Sequence, residues 1–278
     1  MKVKNSINIF DFNVHLPPFL DKENVNKTIN QDLKLTEKDL IKGLETHKDA
    51  ILSCDGVNFL LFNTELLDQD ISSFAQTAES LIKYVKYTAL VDFRRKDIEA
   101  YLDKCVIGGV NAIMFNSYLQ KISESDFADV LKVCRCAAKK NLIVCVDGSY
   151  GTSKMYKYDN LRLACFLSDF IKDVPIVIVH SGGYRVLEAM LLALDKPNIW
   201  LDTSFSLPYY IGSSIETDYA FMLRKMNFSR VLFGSDTPYV SLGQAILSHN
   251  GFFNRHKFSQ EEIEKLMIKN ALELFRED

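Results

Sequence analysis

A (β/α)8 TIM barrel is the fold class this sequence predicts, and three observations predict it. Short apolar runs rich in β-branched residues occur eight times, and segments of helical periodicity lie between them. From the second run onward the starts are about 29 residues apart on average, close to one strand plus its crossover helix. The runs are continuous rather than alternating, as expected of parallel strands buried on both faces.

In chain order the predicted strands are Ile7–Phe12, Val57–Phe62, Val85–Val91, Ala112–Phe115, Leu142–Val146, Ile176–Val179, Ile199–Leu201 and Val231–Phe233. The helical segments carry start signals. Ser123 and Asp126 read as a capping box, followed by Phe127, Val130, Leu131, Cys134 and Ala138 on one face and a stop at Asn141. Ser259 and Glu262 repeat the signature, with Ile263, Leu266, Met267 and Leu274 as the inward stripe. Eight strand signals alternating with eight helices, with no linker, fit a single barrel domain over residues 1–278 better than a doubly wound sheet. Two βα connections are read as long loops, at about 16–36 and 237–258, over the C-terminal mouth where barrel enzymes work. The second contains Tyr239, His249, Phe252, Phe253, Arg255 and His256, which either shape a pocket or pack the loop down.

Composition narrows the function classes. The 278 residues carry 33 Lys plus Arg against 36 Asp plus Glu, a formal charge of −3, so no basic surface is expected for nucleic acid or an anionic membrane. No apolar stretch approaches the roughly 20 residues that span a bilayer, and Met1–Phe10 lacks the apolar core of a signal peptide. A cytoplasmic protein with a small-molecule substrate is the expectation. The six cysteines show no CxxC pair and read as reduced, mostly buried thiols.

In a barrel, polar residues at strand C-termini point into the mouth. Strand one ends Asp11-Phe12-Asn13-Val14-His15, strand five Val146-Asp147-Gly148, strand six Val179-His180-Ser181-Gly182-Gly183, and strand eight Phe233-Gly234-Ser235-Asp236. Asn13 and His15 are two apart and share a side of the strand, so they should converge with Asp147, His180 and Asp236. Imidazole and carboxylate together suit Zn²⁺, Mn²⁺ or Fe²⁺, which would lower the pKa of bound water. A single strand-end His or Asp often only caps a neighbouring helix; four strand ends together favour chemistry.

The motifs DxxxH at strand one, IVxHSGG at strand six, DTS at strand seven, FGSDxP at strand eight and NALELF in the last helix together resemble the amidohydrolase-related group of the amidohydrolase superfamily, over essentially the whole chain. That resemblance implies a barrel with one divalent metal that hydrolyses C–N, lactone or related bonds, or decarboxylates aromatic or unsaturated acids, with a homodimer as a weaker expectation. Carried over, the metal ligands would be His15, Asp147, Asp236 and the Asn13 carbonyl. Asn13 stands where the pattern has His or Glu, Asp147 replaces a His, and Asn116 offers no lysine for a two-metal bridge. Carboxylate for imidazole shifts preference toward Mn²⁺ or Mg²⁺. Asp236 would also accept a proton from water, and His180 would stabilise or protonate the reacting atom. The Gly182-Gly183 pair is expected to open the sixth helix, where an anionic group could dock. Arg94, as a carboxylate or phosphate clamp, with Tyr150, Ser204 and Phe205 as walls, complete the expected substrate site. Three readings follow: a metal-dependent hydrolase of a small polar or cyclic substrate, a decarboxylase of the same family, or a barrel that binds without turnover.

Overall fold

The computed structural model describes residues 8–16, 35–150 and 153–277. Among these residues eight parallel strands form one sheet in sequential order, β1 to β8. They are β1 Phe10–Leu16, β2 Gly56–Leu61, β3 Tyr84–Leu90, β4 Ala112–Phe115, β5 Ile143–Asp147, β6 Ile176–Val179, β7 Ile199–Asp202 and β8 Val231–Leu232. The main interleaving helices are α1 Glu37–Thr46, α2 Ser72–Leu81, α3 Ile98–Ile107, α4 Phe127–Ala138, α5 Asn160–Phe170, α6 Val186–Asp195, α7 Ser214–Lys225 and α8 Leu242–His256. A last segment, α9 Gln260–Glu264, passes through a π-helical turn at Lys265–Lys269 into α10 Asn270–Phe275.

The physical cause is the one the runs announced. The residues of β2, β4, β5, β6 and β7 are buried throughout, because helices cover their outer faces while side chains fill the interior. Both capping boxes are present, Ser123 with Asp126 and Ser259 with Glu262, each with reciprocal hydrogen bonds. The stripe of α4 is buried at Phe127, Val130, Leu131 and Cys134, and Asn141 takes a left-handed φ of 58° as the chain leaves the helix.

Two stretches differ from the sequence reading by more than a residue at either end. β1 does not stop at Phe12 but continues through Asn13-Val14-His15 to Leu16; Ile7 lies outside the described residues. Polar side chains are tolerated in this buried strand because Asp11, Asn13 and His15 each meet a partner group inside. The segment 237–258 is not a long loop, because α8 occupies most of it. Ser241 caps that helix by accepting from Gln244 N, while Ala245, His249, Phe252 and Phe253 form its buried face, a spacing of helical period. The expected loop at 16–36 falls almost wholly outside the described residues. No described helix is long and apolar enough to cross a membrane.

The barrel closes at an irregular seam. Phe12 N donates to Phe233 O (3.0 Å), Asp236 N to Asn13 O (2.9 Å) and His15 N to Thr237 O (2.8 Å), and a register shift between Asp11 and Val14 marks a bulge there. These bonds set the ends of β1 and β8 side by side.

Candidate active site

That closure brings His15 and Asp236 into contact at the mouth. His15 Nε2 donates to Asp236 Oδ1 at 3.0 Å, and the His15 ring is held edge-on between Phe62 (5.3 Å between centroids) and Tyr239 (5.2 Å). His180, entering from the end of β6, places Nε2 4.0 Å from the same Asp236 oxygen. Its Nδ1 lies 2.9 Å from Ser204 O and 3.0 Å from Ser204 Oγ. Asn13 Nδ2 donates to Ser204 Oγ at 2.8 Å. Four of the residues expected from sequence, Asn13, His15, His180 and Asp236, are therefore one cluster, joined by Ser204.

The electrostatics of the cluster separate its two key groups. Burial pushes the Asp236 carboxyl up, but the charge of His180 and the His15 hydrogen bond outweigh it and hold the group below the ordinary carboxylate range. Burial by itself would lower His180; the surrounding carboxylates of Asp236, Asp147 and Asp202 reverse that and raise it to about 9. Backbone conformations at the same strand ends are unusual for side-chain-bearing residues. His180 (φ 64°), Ser181 (51°), Phe205 (55°) and Asp236 (70°) are all left-handed, strain of the kind that gathers where a fold places functional groups.

Asp147 sits at the end of β5 but is committed elsewhere. Its Oδ1 accepts from Ser149 N (2.7 Å) and Ser149 Oγ, and its Oδ2 accepts from Asn116 Nδ2 (2.6 Å). Among the described residues no group of three or more His, Cys, Asp or Glu side chains is placed to hold a metal ion. The expected ligand set thus reduces to His15 and Asp236, already bonded to each other, plus the neutral Asn13 amide, whose Oδ1 is buried without a partner among the described residues. His180 Nε2 stands 4.0 Å from the oxygen that His15 already occupies, and a tightly held divalent ion asks for three or four donors free to converge on it, so these residues as arranged do not fit one.

The substrate-side residues divide. Phe205 stands edge-on to the His180 ring at 6.2 Å and is partly exposed, as a pocket wall would be. Tyr150 packs edge-on against Tyr156 (5.3 Å) and Tyr184 (5.1 Å). Ser204 is fully buried beneath the cluster. Arg94 is not brought in: it is exposed, stacks on Phe93 at 3.9 Å and donates to Gln120 O at 3.0 Å. Arg95 is taken up by Asp68 and Asp97. The Gly182-Gly183 pair does not open a helix; α6 begins at Val186, and the glycines continue a left-handed turn begun by His180. Of the α8 residues, His249 is a core group, its Nδ1 donating to Ala245 O at 2.8 Å and its Nε2 accepting from Thr203 Oγ1 at 2.9 Å.

Sequence reasoning quoted Asp202 in the DTS motif without giving it a role, and missed Tyr118. Asp202, at the end of β7, accepts from His180 N (2.6 Å) and Ser204 Oγ (2.7 Å); the polar residue closing the apolar run Ile199–Leu201 was the signal. Tyr118 is half-buried beside Asn116, Ser149 and Asp147, its hydroxyl raised by burial and then by the Asp147 charge. Nothing in its sequence context marks it.

A parallel barrel with its polar cluster at the strand C-termini defines a TIM-barrel protein with an enzyme-like mouth. A model of the amidohydrolase family matches residues 78–276, and the chain belongs to that family. No curated protein matches the sequence. Among solved structures, an uncharacterized TIM-barrel protein from Bordetella bronchiseptica superposes with a TM-score of 0.71 at 16% identity, covering 97% of this chain and 98% of that one. A probable 2-pyrone-4,6-dicarboxylic acid hydrolase from Acinetobacter baumannii, with citric acid bound, gives 0.64 at 16% identity over 97% and 99%. The 5-carboxyvanillate decarboxylase of Sphingomonas paucimobilis gives 0.61 at 13% identity over 98% and 100%. At these identities the likeness shows the shared fold. One of these structures is named for a hydrolase and another for a decarboxylase, so the choice between them falls to the site.

Proposed function

We propose that this chain is a hydrolase of a small polar or cyclic substrate, with Asp236 as the base that takes a proton from water and His180 as the acid. The observation that carries the reading is the pair itself: two buried groups 4.0 Å apart, one held as a carboxylate and the other as an imidazolium. Environments that push two neighbouring groups apart in this way assign their acid and base roles.

In this scheme a water O–H bond breaks, its proton passes to Asp236, and its oxygen bonds to the substrate carbonyl carbon. The proton on His180 Nε2 goes to the leaving oxygen or nitrogen as the C–O or C–N bond breaks. Return of the Asp236 proton to His180 restores the starting state, with one water consumed. Decarboxylation would instead need a proton delivered to the carbon that loses CO2, a step His180 could also supply, but it would give the Asp236 carboxylate no proton to take. Phe205 beside His180 and Tyr239 beside His15 give the cluster aromatic neighbours that favour a ring, and an imidazolium favours a negatively charged one. Cyclic esters and amides bearing a carboxylate are the first to try, beginning with 2-pyrone-4,6-dicarboxylic acid, for which the Acinetobacter protein is named.

The test is turnover of a panel of lactones and lactams, with and without carboxylates, in water enriched in oxygen-18, by wild type, His180→Gln and Asp236→Asn. The expected result is label in the product of the wild type, with kcat/KM down by about a hundredfold or more in each variant and little change in Tm. Release of CO2 without incorporated label would replace this reading with a decarboxylase. Saturable binding with no product of either kind would make the chain a binding barrel.

A further inference from the structure

We propose that Ser204 and Asp202 are positioning residues for His180: they fix its imidazole with Nδ1 as a donor toward the end of β7, so that Nε2 is the edge presented to Asp236 and to substrate. This assignment builds on the acid role of His180, but the geometry that carries it is independent of turnover.

The argument is one of hydrogen counting. Ser204 Oγ has a single hydrogen, and Asp202 Oδ1, at 2.7 Å, takes it. The lone pairs of Ser204 Oγ then accept from Asn13 Nδ2 at 2.8 Å and from His180 Nδ1 at 3.0 Å. The second group facing Nδ1 is the Ser204 carbonyl oxygen at 2.9 Å, which can only accept. Whichever of the two it points to, Nδ1 must carry a proton. Reversing the Ser204 hydroxyl would not relieve this: the carbonyl oxygen, which already accepts from Ser206 N, would then set its lone pair against a bare Nδ1 at 2.9 Å, and Asp202 Oδ1 would lose a donor.

Asp202 holds the same residue a second time, accepting from His180 N at 2.6 Å where the backbone has a left-handed φ of 64°. It therefore stabilises an otherwise unfavourable backbone conformation as well as the ring. Ser204 and Asp202 are both fully buried, so they act through His180 and not on substrate. One hydroxyl in this way ties together β1 through Asn13, β6 through His180 and β7 through Asp202.

The experiment is ¹⁵N–¹H spectroscopy of the histidine side chains in the full, uniformly labelled chain at one fixed pH near neutrality, with the His180 signals identified by their loss in His180→Gln. The expected result is a proton on His180 Nδ1 whose exchange with water is slow, becoming about tenfold faster in Ser204→Ala while Tm and the remaining histidine signals stay in place. A wild-type His180 carrying its proton on Nε2 alone overturns the proposal, and needs no variant should Ser204→Ala fail to fold. Unchanged exchange in a folded Ser204→Ala overturns it as well. Because none of these signals depends on turnover, absence of hydrolysis in the substrate panel would sink the hydrolase reading and leave this one standing.

Discussion

Ser235 N donates to Asp11 Oδ1 at 2.8 Å, joining residues 224 apart in the chain. The same oxygen accepts from Asn13 N at 3.2 Å, so one carboxylate supplies what strand pairing fails to supply where β1 bulges and β8 is only two residues long. The site hangs from this seam, since Asn13 and His15 follow Asp11 and Asp236 follows Ser235.

Asp11→Ala leaves two buried backbone N–H groups without acceptors and should cost about 2–4 kcal/mol. Asp11→Asn keeps an acceptor and isolates the charge. Burial raises the Asp11 carboxyl to about 7 against an unfolded value of 3.8, so the folded state binds more protons than the unfolded state between those values. Its contribution to stability is complete below pH 3.8 and is lost as pH rises through 7, an effect of about 4 kcal/mol at most. Urea unfolding of both proteins at a series of pH values should show wild type losing stability relative to Asp11→Asn as pH rises from about 4 to 7; parallel curves would mean Asp11 titrates normally.

The closing of β8 against β7 makes a second prediction. A Cβ on Gly234 would lie 2.6 Å from Asp202 Oδ2, 2.8 Å from Ser204 Cβ and 3.1 Å from Asn13 Cβ, and none of these has room to retreat in a packed interior. Gly234→Ala is expected to destabilise the fold by about 2 kcal/mol or more and to disturb the His180 signals. A variant of wild-type Tm with those signals unmoved would show that the seam is looser than its geometry implies.

The architecture was readable because strand and helix signals repeat with the barrel's own period, and Ala112–Phe115 and Ile176–Val179 coincide with the observed strands. Strand-end position also brought out Asn13, His15, His180 and Asp236. What sequence could not show was who bonds to whom. Asp147 has the position of a ligand, but Asn116 and Ser149, from the neighbouring strand end and the next turn, occupy its oxygens. Arg94 and Arg95 differ only in which partners their loop offers. Helix α8 was legible in principle, since Ser241 and the spacing of Ala245, His249 and Phe252 are helical signals; reading that stretch by its polar and aromatic content hid them.

The donor set gives a third prediction. With Asp147 held by Asn116 and Ser149, removal of divalent ions should leave Tm unchanged to within about one degree, whereas loss of a resident structural ion shifts stability by several kcal/mol. Protein purified without a polyhistidine tag and dialysed against a strong chelator provides the measurement, with elemental analysis before and after. Stoichiometric Zn, Mn or Fe before dialysis, and a lowered Tm after it, would mean the cluster rearranges to admit a third donor.

His249 supplies the last prediction, away from the chemistry. It is fully buried on α8, and burial lowers it to about 4, only partly opposed by its bond to Ala245 O. Protonation would place a charge and a second hydrogen, on Nε2, in this buried site, and would oblige the Thr203 hydroxyl, now donating there at 2.9 Å, to turn toward Leu232 O at 3.1 Å. The folded value lies below the unfolded 6.5, so the unfolded state binds more protons in that window. The stabilising contribution is therefore complete above pH 6.5 and is lost as pH falls from 6.5 toward 4, by about 3 kcal/mol. This slope runs opposite to that of Asp11, and the two partly cancel in the wild type. His249→Gln, which removes the titration, should be less stable than wild type at pH 7.5, with that deficit shrinking between pH 6.5 and 4.5. Chemical denaturation of both proteins across that range reads the difference, and parallel curves would show that the proton enters this core without cost.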